Sequence, residues 1–348
     1  MWSISATVFR REGRIMATLV TGGTGFVGAN IVRELARAGH EVVSYDVAPA
    51  DELVRQFVAE WEGGITFVQG DIRDREGVAG LANSHVIDKV IHAATYTVNQ
   101  RDLEVERGRD VIGINVEGLA NVLELARIAG VRRFVYVSSG AAYGLAAGTD
   151  QTYSEDMPAA PDSMYGITKY AGELITRRYG ELYGFEQASV RLSTPYGPME
   201  RVTGHRAVMS ALYQWTGQVA RGEPLSVQAE SFAPDDGRDY TYAVDTARGL
   251  QAILDAPELP HDLYNLTTGV WITYREILDA ISDLVPRSDP RPVSAADTAA
   301  ARARASVPSR GPLSAHRLRQ DLGWQPEFDL RAGLADYLQW RRESEFTA

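Results

Sequence analysis

Three features of this 348-residue sequence predict an α/β chain with a doubly wound parallel sheet and a smaller C-terminal lobe. The first is Ala17-Thr18-Leu19-Val20-Thr21, an apolar run that passes directly into Gly22-Gly23-Thr24-Gly25-Phe26-Val27-Gly28. The second is the alternation of short apolar runs with helical periodicity from Ala17 to Leu192. The third is a change of texture after Pro195, where turns multiply and apolar periodicity weakens. Residues 16–195 read as the sheet domain, to which later segments return. Residues 196–348 read mainly as the lobe, and residues 1–15 as an extension ahead of a second methionine, Met16.

The first unit justifies the prediction. Phe26 to Ala38 has apolar residues at helical spacing (Val27, Ile31, Leu35) and stops at Gly39. Glu41 to Tyr45 is the next strand, and Asp46 ends it. Strand, glycine-rich turn, helix, strand and acid in this order form a dinucleotide-binding βαβ unit, the start of a Rossmann fold. Gly22, Gly25 and Gly28 let the backbone turn tightly and approach a pyrophosphate. The helix N-terminus at Phe26 and Val27 favours that anion through its N–H groups and dipole. Asp46 selects the cofactor: a carboxylate accepts from ribose hydroxyls and repels a 2′-phosphate. Val47 and Ala48 offer no arginine to hold one, so NAD is expected rather than NADP.

The alternation continues with Ile65–Gln69, ending at Gly70-Asp71-Ile72, and with Lys89–His92, ending at Ala93-Ala94. Glu106 to Ala129 reads as mostly helical, and Arg133 to Val137 as a strand entering Ser138-Ser139-Gly140-Ala141-Ala142-Tyr143-Gly144. A helix from Tyr165 to Leu182 and a strand from Gln187 to Leu192 follow. Ligands sit at the carboxyl ends of such strands. Asp71 there either meets an adenine amino group or caps a helix; His92 reads as packing, and Lys89, ahead of its strand, as solvated. Segments 199–245 and 286–312 read as irregular, with Pro286 to Pro312 a long connection. Thr273 and Glu276 form a capping box for a helix to Val285, and Asp329 caps a last helix. The C-terminal pieces read as too scattered for a core of their own.

Composition narrows the function. A formal charge of −11 and a pI near 5.1 oppose a general binder of nucleic acid or anionic membrane. The absence of cysteine excludes disulfides, thiolate metal sites and cysteine catalysis. No apolar run is long enough to span a bilayer. Residues 1–15 lack the apolar stretch of a secretory signal, so a cytoplasmic protein is expected.

Of the 35 basic residues, Lys89 and Lys169 alone are lysines. Lys169 stands four residues after Tyr165, which on a helix stacks both side chains on one face. A fixed cation there lowers the pKa of a phenol toward working range. The same spacing also occurs on ordinary surface helices.

These segments together resemble the extended short-chain dehydrogenase/reductases, the NAD-dependent sugar epimerase/dehydratase family, from about Thr18 to Leu338. The matching motifs include Thr21–Gly28, Asp46, Gly70-Asp71-Ile72, His92-Ala93-Ala94, Asn115-Val116-Glu117-Gly118 and Tyr165-Gly166-Ile167-Thr168-Lys169. Arg191 with Tyr196-Gly197-Pro198, Arg238-Asp239-Tyr240 and Leu322-Gly323-Trp324-Gln325-Pro326 continue them. The resemblance implies that Tyr165 is the acid/base at a substrate carbinol, tuned by Lys169, which also bonds the nicotinamide ribose. It implies that Ser139 holds the substrate oxygen and Asn115 supports the helix behind Lys169. It adds Ile72, Ala93, Ala94 and Pro195 to the cofactor contacts, and Thr194, Arg238 and Arg310 to the substrate side. A two-fold homodimer through the helices after Asn115 and around Tyr165 is also implied. The apolar residues there are Leu119, Val122, Leu123, Leu125 and Ile128, then Ile167, Leu174, Ile175, Tyr179 and Leu182.

Missing residues narrow the subfamily. Family dehydratases carry an Asp-Glu pair after the serine equivalent to Ser139, where this chain has Gly140 and Ala141. The loop lacks the glutamate of the decarboxylases, and the chain lacks the cysteine of enolising epimerases. A 4-epimerase-like enzyme acting on a nucleotide sugar is the main expectation. The alternative is a dehydrogenase of a smaller sugar acid or polyol, suggested by Thr194 in place of the usual asparagine. A non-catalytic NAD-binding regulator is the remote one.

Overall fold

The run around Ala17 becomes the middle of a parallel sheet, with Leu19 and Val20 fully buried and facing opposite helical layers. The computed structural model describes residues 10–11, 14–98, 101–145, 151–203, 210–228, 234–286, 291–293 and 310–345. Most of the expected extension and of the connection between Pro286 and Pro312 lies outside the described residues.

The chain opens with β1 (Arg10–Arg11), antiparallel to β2 (Arg14–Thr21), then α1 (Phe26–Arg37) and β3 (Glu41–Asp46). Next come α2 (Glu52–Val58), β4 (Ile65–Gln69), α3 (Arg75–Ser84) and β5 (Val86–His92). Helices α4 (Arg101–Ile112) and α5 (Leu119–Ala129) are joined by a π-helical turn over Gly113–Gly118. Then follow β6 (Arg133–Ser139), α6 (Met164–Tyr183), β7 (Glu186–Leu192) and β8 (Thr194–Tyr196). The later elements are α7 (Ala211–Ala220), β9 (Ser226–Gln228), β10 (Gly237–Tyr242), α8 (Ala243–Asp255) and β11 (Leu263–Leu266). The last are β12 (Trp271–Thr273), α9 (Tyr274–Leu284), β13 (Arg291–Val293), α10 (His316–Leu322) and α11 (Leu330–Glu345).

The main sheet has the order β11-β7-β6-β5-β2-β3-β4, and every pair along it is parallel. Strand order reverses between β2 and β5, which opens a crevice at their carboxyl ends. Helices α1 and α8 pack on one face, burying Ile31, Leu35, Leu250 and Ile253; burying such a side chain contributes ~1.5–3 kcal/mol. Helices α3 and α5 cover the other face, where Leu119, Val122, Leu123 and Leu125 are fully buried. Helices α5 and α6 both end at a left-handed glycine, Gly130 with φ 65° and Gly184 with φ 75°.

Three expectations are corrected. Segment 199–245 is not irregular: it contains α7 and β10. The C-terminal pieces do form a core, in which Tyr196, Leu212, Trp215, Tyr240, Ile277 and Leu334 are buried together. Two- and three-residue strands carry no readable period, so β8-β10-β12 and β9-β13 emerge only through long-range pairing. Lys89 lies inside β5, not ahead of it, and is paired with Asp255 at 2.6 Å rather than solvated. The caps at the chain's end are as expected: Thr273 and Glu276 make a reciprocal capping box, and Asp329 accepts from the Ala332 N–H at 2.8 Å. No helix among the described residues is long and apolar enough to cross a membrane.

Candidate active site

The turn after β2 is shaped by what cannot fit there. Gly22 has φ 72°, its N–H donates to the Tyr45 carbonyl at 2.8 Å, and a Cβ on it would stand 2.7 Å from Ala94 N. A Cβ on Gly28 would lie 2.6 Å from the Gly22 carbonyl carbon, so helix and turn touch without side chains between them. Gly25 caps α1 with no side chain of its own. The loop therefore presents backbone at the helix N-terminus, the environment a pyrophosphate requires.

Asp46 borders the same cleft, whose volume is about 650 Å³. Its Oδ2 accepts from Thr24 N at 3.0 Å and its Oδ1 from Ala48 N at 3.1 Å, which holds the carboxylate toward the cleft. Asp71 and Ile72 also line it, but Asp71 does not cap α3; Asp74 does, accepting from Gly77 N at 3.1 Å. Asp71 instead takes Arg73 at 2.6 Å. Sequence reasoning missed two cleft arginines, Arg73 and Arg201. Arg201 comes from beyond the sheet, donating to Asp51 at 2.6 Å and to the Thr24 carbonyl at 3.3 Å. Each guanidinium is thus matched by a carboxylate. Gly22, Gly25, Phe26, Val27, Gly28, Ala93, Ala94 and Pro195 all border the cleft.

Ser139 ends β6, with its hydroxyl accepting from Ala141 N at 3.2 Å, and faces the cleft with Tyr165 and Lys169. Tyr165 sits in the first turn of α6, which Ser163 caps by accepting from Gly166 N at 3.2 Å. Lys169 follows one turn later, buried, with Nζ 5.8 Å from the Tyr165 ring centre and donating to the Val137 carbonyl at 2.8 Å. Burial lowers its pKa to about 7, against the pull of Glu173.

Glu173, one turn further along, is a third residue sequence reasoning missed; its signal was the same four-residue spacing. It is buried, accepts from Ser138 Oγ, and receives Arg191 at 2.9 and 2.7 Å. Asn115 lies in the π-helical turn, a device frequent at functional sites. Its Nδ2 donates to Thr168 Oγ1 at 3.0 Å and its Oδ1 accepts from Tyr96 N at 2.7 Å, tying that turn to α6 beside Lys169. His92 is packing, as expected: it bonds Thr21 at 2.8 Å, stacks on Tyr136 at 5.9 Å, and burial lowers its pKa to about 3.

The three substrate-side residues meet at one small pocket, and two of them also reach the main cleft. Thr194 and Arg310 line the main cleft and also border a pocket of about 70 Å³ beside it, which Arg238 and Asp239 line without bordering the cleft.

A doubly wound sheet whose switch-point crevice combines this backbone cradle, Asp46 and a Tyr-Lys pair defines a dinucleotide-dependent enzyme. The family model described as "NAD dependent epimerase/dehydratase family" matches residues 18–267, and the chain belongs to that family. It is an NAD-dependent enzyme of the extended short-chain dehydrogenase/reductase type. The chain is 30% identical to a UDP-glucose 4-epimerase of Mycolicibacterium smegmatis, over 94% of this chain and 99% of that protein. It is 27% identical to UDP-glucuronate 4-epimerase 1 of Arabidopsis thaliana, over 97% of this chain and 78% of that one. The structure of a Thermus thermophilus UDP-glucose 4-epimerase in complex with NAD superimposes with a TM-score of 0.75 at 28% identity. That comparison covers 94% of this chain and 100% of the other.

Proposed function

We propose that the enzyme inverts a secondary carbinol of a nucleotide sugar by oxidation and re-reduction, as a 4-epimerase does. The observation that carries this reading is the convergence of Ser139, Tyr165 and Lys169 on one cleft whose neighbouring loop, Gly140-Ala141, bears no carboxylate for water elimination. Bound NAD supplies a hydride acceptor that later returns the hydride. Gly22, Gly25, Gly28 and the N-terminus of α1 hold its pyrophosphate, and Asp46 holds its adenine ribose. Tyr165, as phenolate, takes the carbinol proton, and Ser139 donates to the substrate oxygen. Lys169 keeps positive charge beside the phenol and reaches the nicotinamide ribose. Asn115 holds α6 in register for that task. Inversion would require re-reduction from the other face of the keto sugar, with Tyr165 giving its proton back to the oxygen.

In this reading residues 16–195 hold the cofactor and residues 196–348 mainly the substrate. Assembly as a homodimer belongs to it too. Ile128, Ile167, Leu174 and Leu182 support the dimer, being exposed on α5 and α6. Leu119, Val122, Leu123 and Leu125 do not, because they fill the protomer's own core. A cytoplasmic location fits a chain with no cysteine. The test is incubation of purified enzyme and NAD with UDP-hexoses and UDP-uronates. Epimer formed without net NADH is expected; stoichiometric NADH with no epimer would establish a dehydrogenase instead.

A further inference from the structure

Arg310 enters the cleft from the strand-like stretch ahead of α10 and lies against Gly140, the residue that follows Ser139. A Cβ at position 140 would stand 2.6 Å from its Cζ and 2.7 Å from its Nε, so this seat exists because residue 140 is glycine. Among the described residues the guanidinium has no ion-pair partner. Asp239, the carboxylate that acts on it, makes no ion pair with it, and its Oδ2 accepts from the Thr267 hydroxyl and from Leu313 N at 2.9 Å. Burial and the like charge of Arg238 hold the Arg310 pKa below its usual value. A guanidinium does not give up its proton in a protein, and this one, half-buried and bordering the cleft, is placed where an anion in the cleft can reach it.

A nucleotide sugar offers two anions. The diphosphate hangs on the anomeric carbon, across the ring from a C4 carbinol; a uronic carboxylate is two bonds from that carbinol. The resemblance assigned both Arg238 and Arg310 to the diphosphate, and both border the smaller pocket, but Arg310 alone of the two also reaches the main cleft, beside Ser139. If Ser139 meets the reacting oxygen, the anion within reach of Arg310 is the one nearest that oxygen. We infer that Arg310, seated on Gly140, pairs bidentately with a carboxylate on the reacting sugar, so that the preferred substrate is a nucleoside-diphosphate-linked uronic acid. This inference rests on the epimerase reading. It also gives the bare Gly140-Ala141 loop a second consequence: an acidic side chain there would neutralise Arg310 from within.

The full-length enzyme with NAD is assayed on UDP-glucuronate and UDP-glucose, and UDP binding is titrated. The wild type is expected to favour the uronate by about 10- to 100-fold in kcat/KM, the range of a charge-assisted pair. Arg310→Gln should lower that ratio by about 10-fold or more, while UDP affinity changes much less. Gly140→Ala, which crowds the guanidinium without removing it, should lower the same ratio. Equal turnover of both sugars by the wild type overturns the inference, as does an Arg310→Gln loss that is as large for UDP itself. If neither variant folds, the wild-type ratio decides. If no epimer forms with any substrate, the epimerase reading fails, and the inference is then judged by titration: equal affinities for UDP-glucuronate and UDP-glucose overturn it.

Discussion

Lys169 and Glu173 are buried one turn apart on α6, yet they do not pair: the ammonium donates to the Val137 carbonyl at 2.8 Å, and the carboxylate receives Arg191 at 2.9 and 2.7 Å. Arg191 takes both carboxylate oxygens of Glu173, which acts on the lysine only as a charge at a distance. Lys169 is left as a charge whose protonation depends on what occupies the cleft.

A pH dependence of stability follows for the cofactor-free protein. The pKa of Lys169 falls from 10.5 to about 7 through burial. Below pH 7 folded and unfolded chains both carry the proton, and the burial penalty is present in full. Between the two values the unfolded chain holds a proton the folded one has lost, so this group's contribution to stability rises with pH. Lys169→Met should raise the melting temperature at pH 6 and lose that advantage near pH 10, both read by calorimetry. A gain independent of pH would refute the shift.

Glu173→Gln leaves Arg191 buried without a counter-charge. Urea denaturation should show a loss of about 3 kcal/mol, the low end for breaking one partner of a buried pair. Arg191 also lies 4.2 Å from the Tyr143 ring centre, a contact the substitution leaves in place. A loss below about 1 kcal/mol, the level of an exposed pair, would show the pair to be solvated.

Tyr165→Phe removes the proton carrier alone. Turnover should fall by about 10²–10⁴-fold with NAD affinity retained. Lys169→Arg keeps the charge but not the compact ammonium seated under Val137, so most activity should go as well. Near wild-type turnover in Tyr165→Phe would remove Tyr165 from the chemistry.

In the proposed reading Asp46 governs cofactor choice. NAD should bind at least about tenfold more tightly than NADP, about 1.4 kcal/mol or more, and Asp46→Ala should narrow the gap. Arg73 and Arg201 border the cleft but are held by Asp71 and Asp51, so neither is free to bind a 2′-phosphate in the wild type. Equal affinities by fluorescence titration would contradict the assignment.

The exposed apolar strip on α5 and α6 should be an interface between two copies. Leu174, 45% exposed, and Ile167, 48% exposed, are the residues to change. Light scattering should find a dimer at micromolar concentration, and Leu174→Glu with Ile167→Glu should yield monomers. A wild-type monomer would refute the assembly.

The sequence by itself determined what depends on neighbours along the chain. The cradle from Gly22 to Gly28, Asp46 at its strand end, the parallel alternation and the Tyr165–Lys169 spacing are all local patterns, readable because helix and strand periods act over a few residues. The same rule reaches Glu173, four residues past Lys169. Tertiary structure alone decided which distant charges meet. Asp71 turned to Arg73 and left the cap to Asp74, Lys89 found Asp255, and Arg201 crossed to Thr24. Arg238 and Arg310, alike as residues, share the smaller pocket, and Arg310 alone of the two also reaches the main cleft. A charge carries no period, and its partner is set by how strands and helices stack far apart in sequence. That is why the glycine-rich side of the cleft was legible before the fold, and the pairing of charges around the cleft only after it.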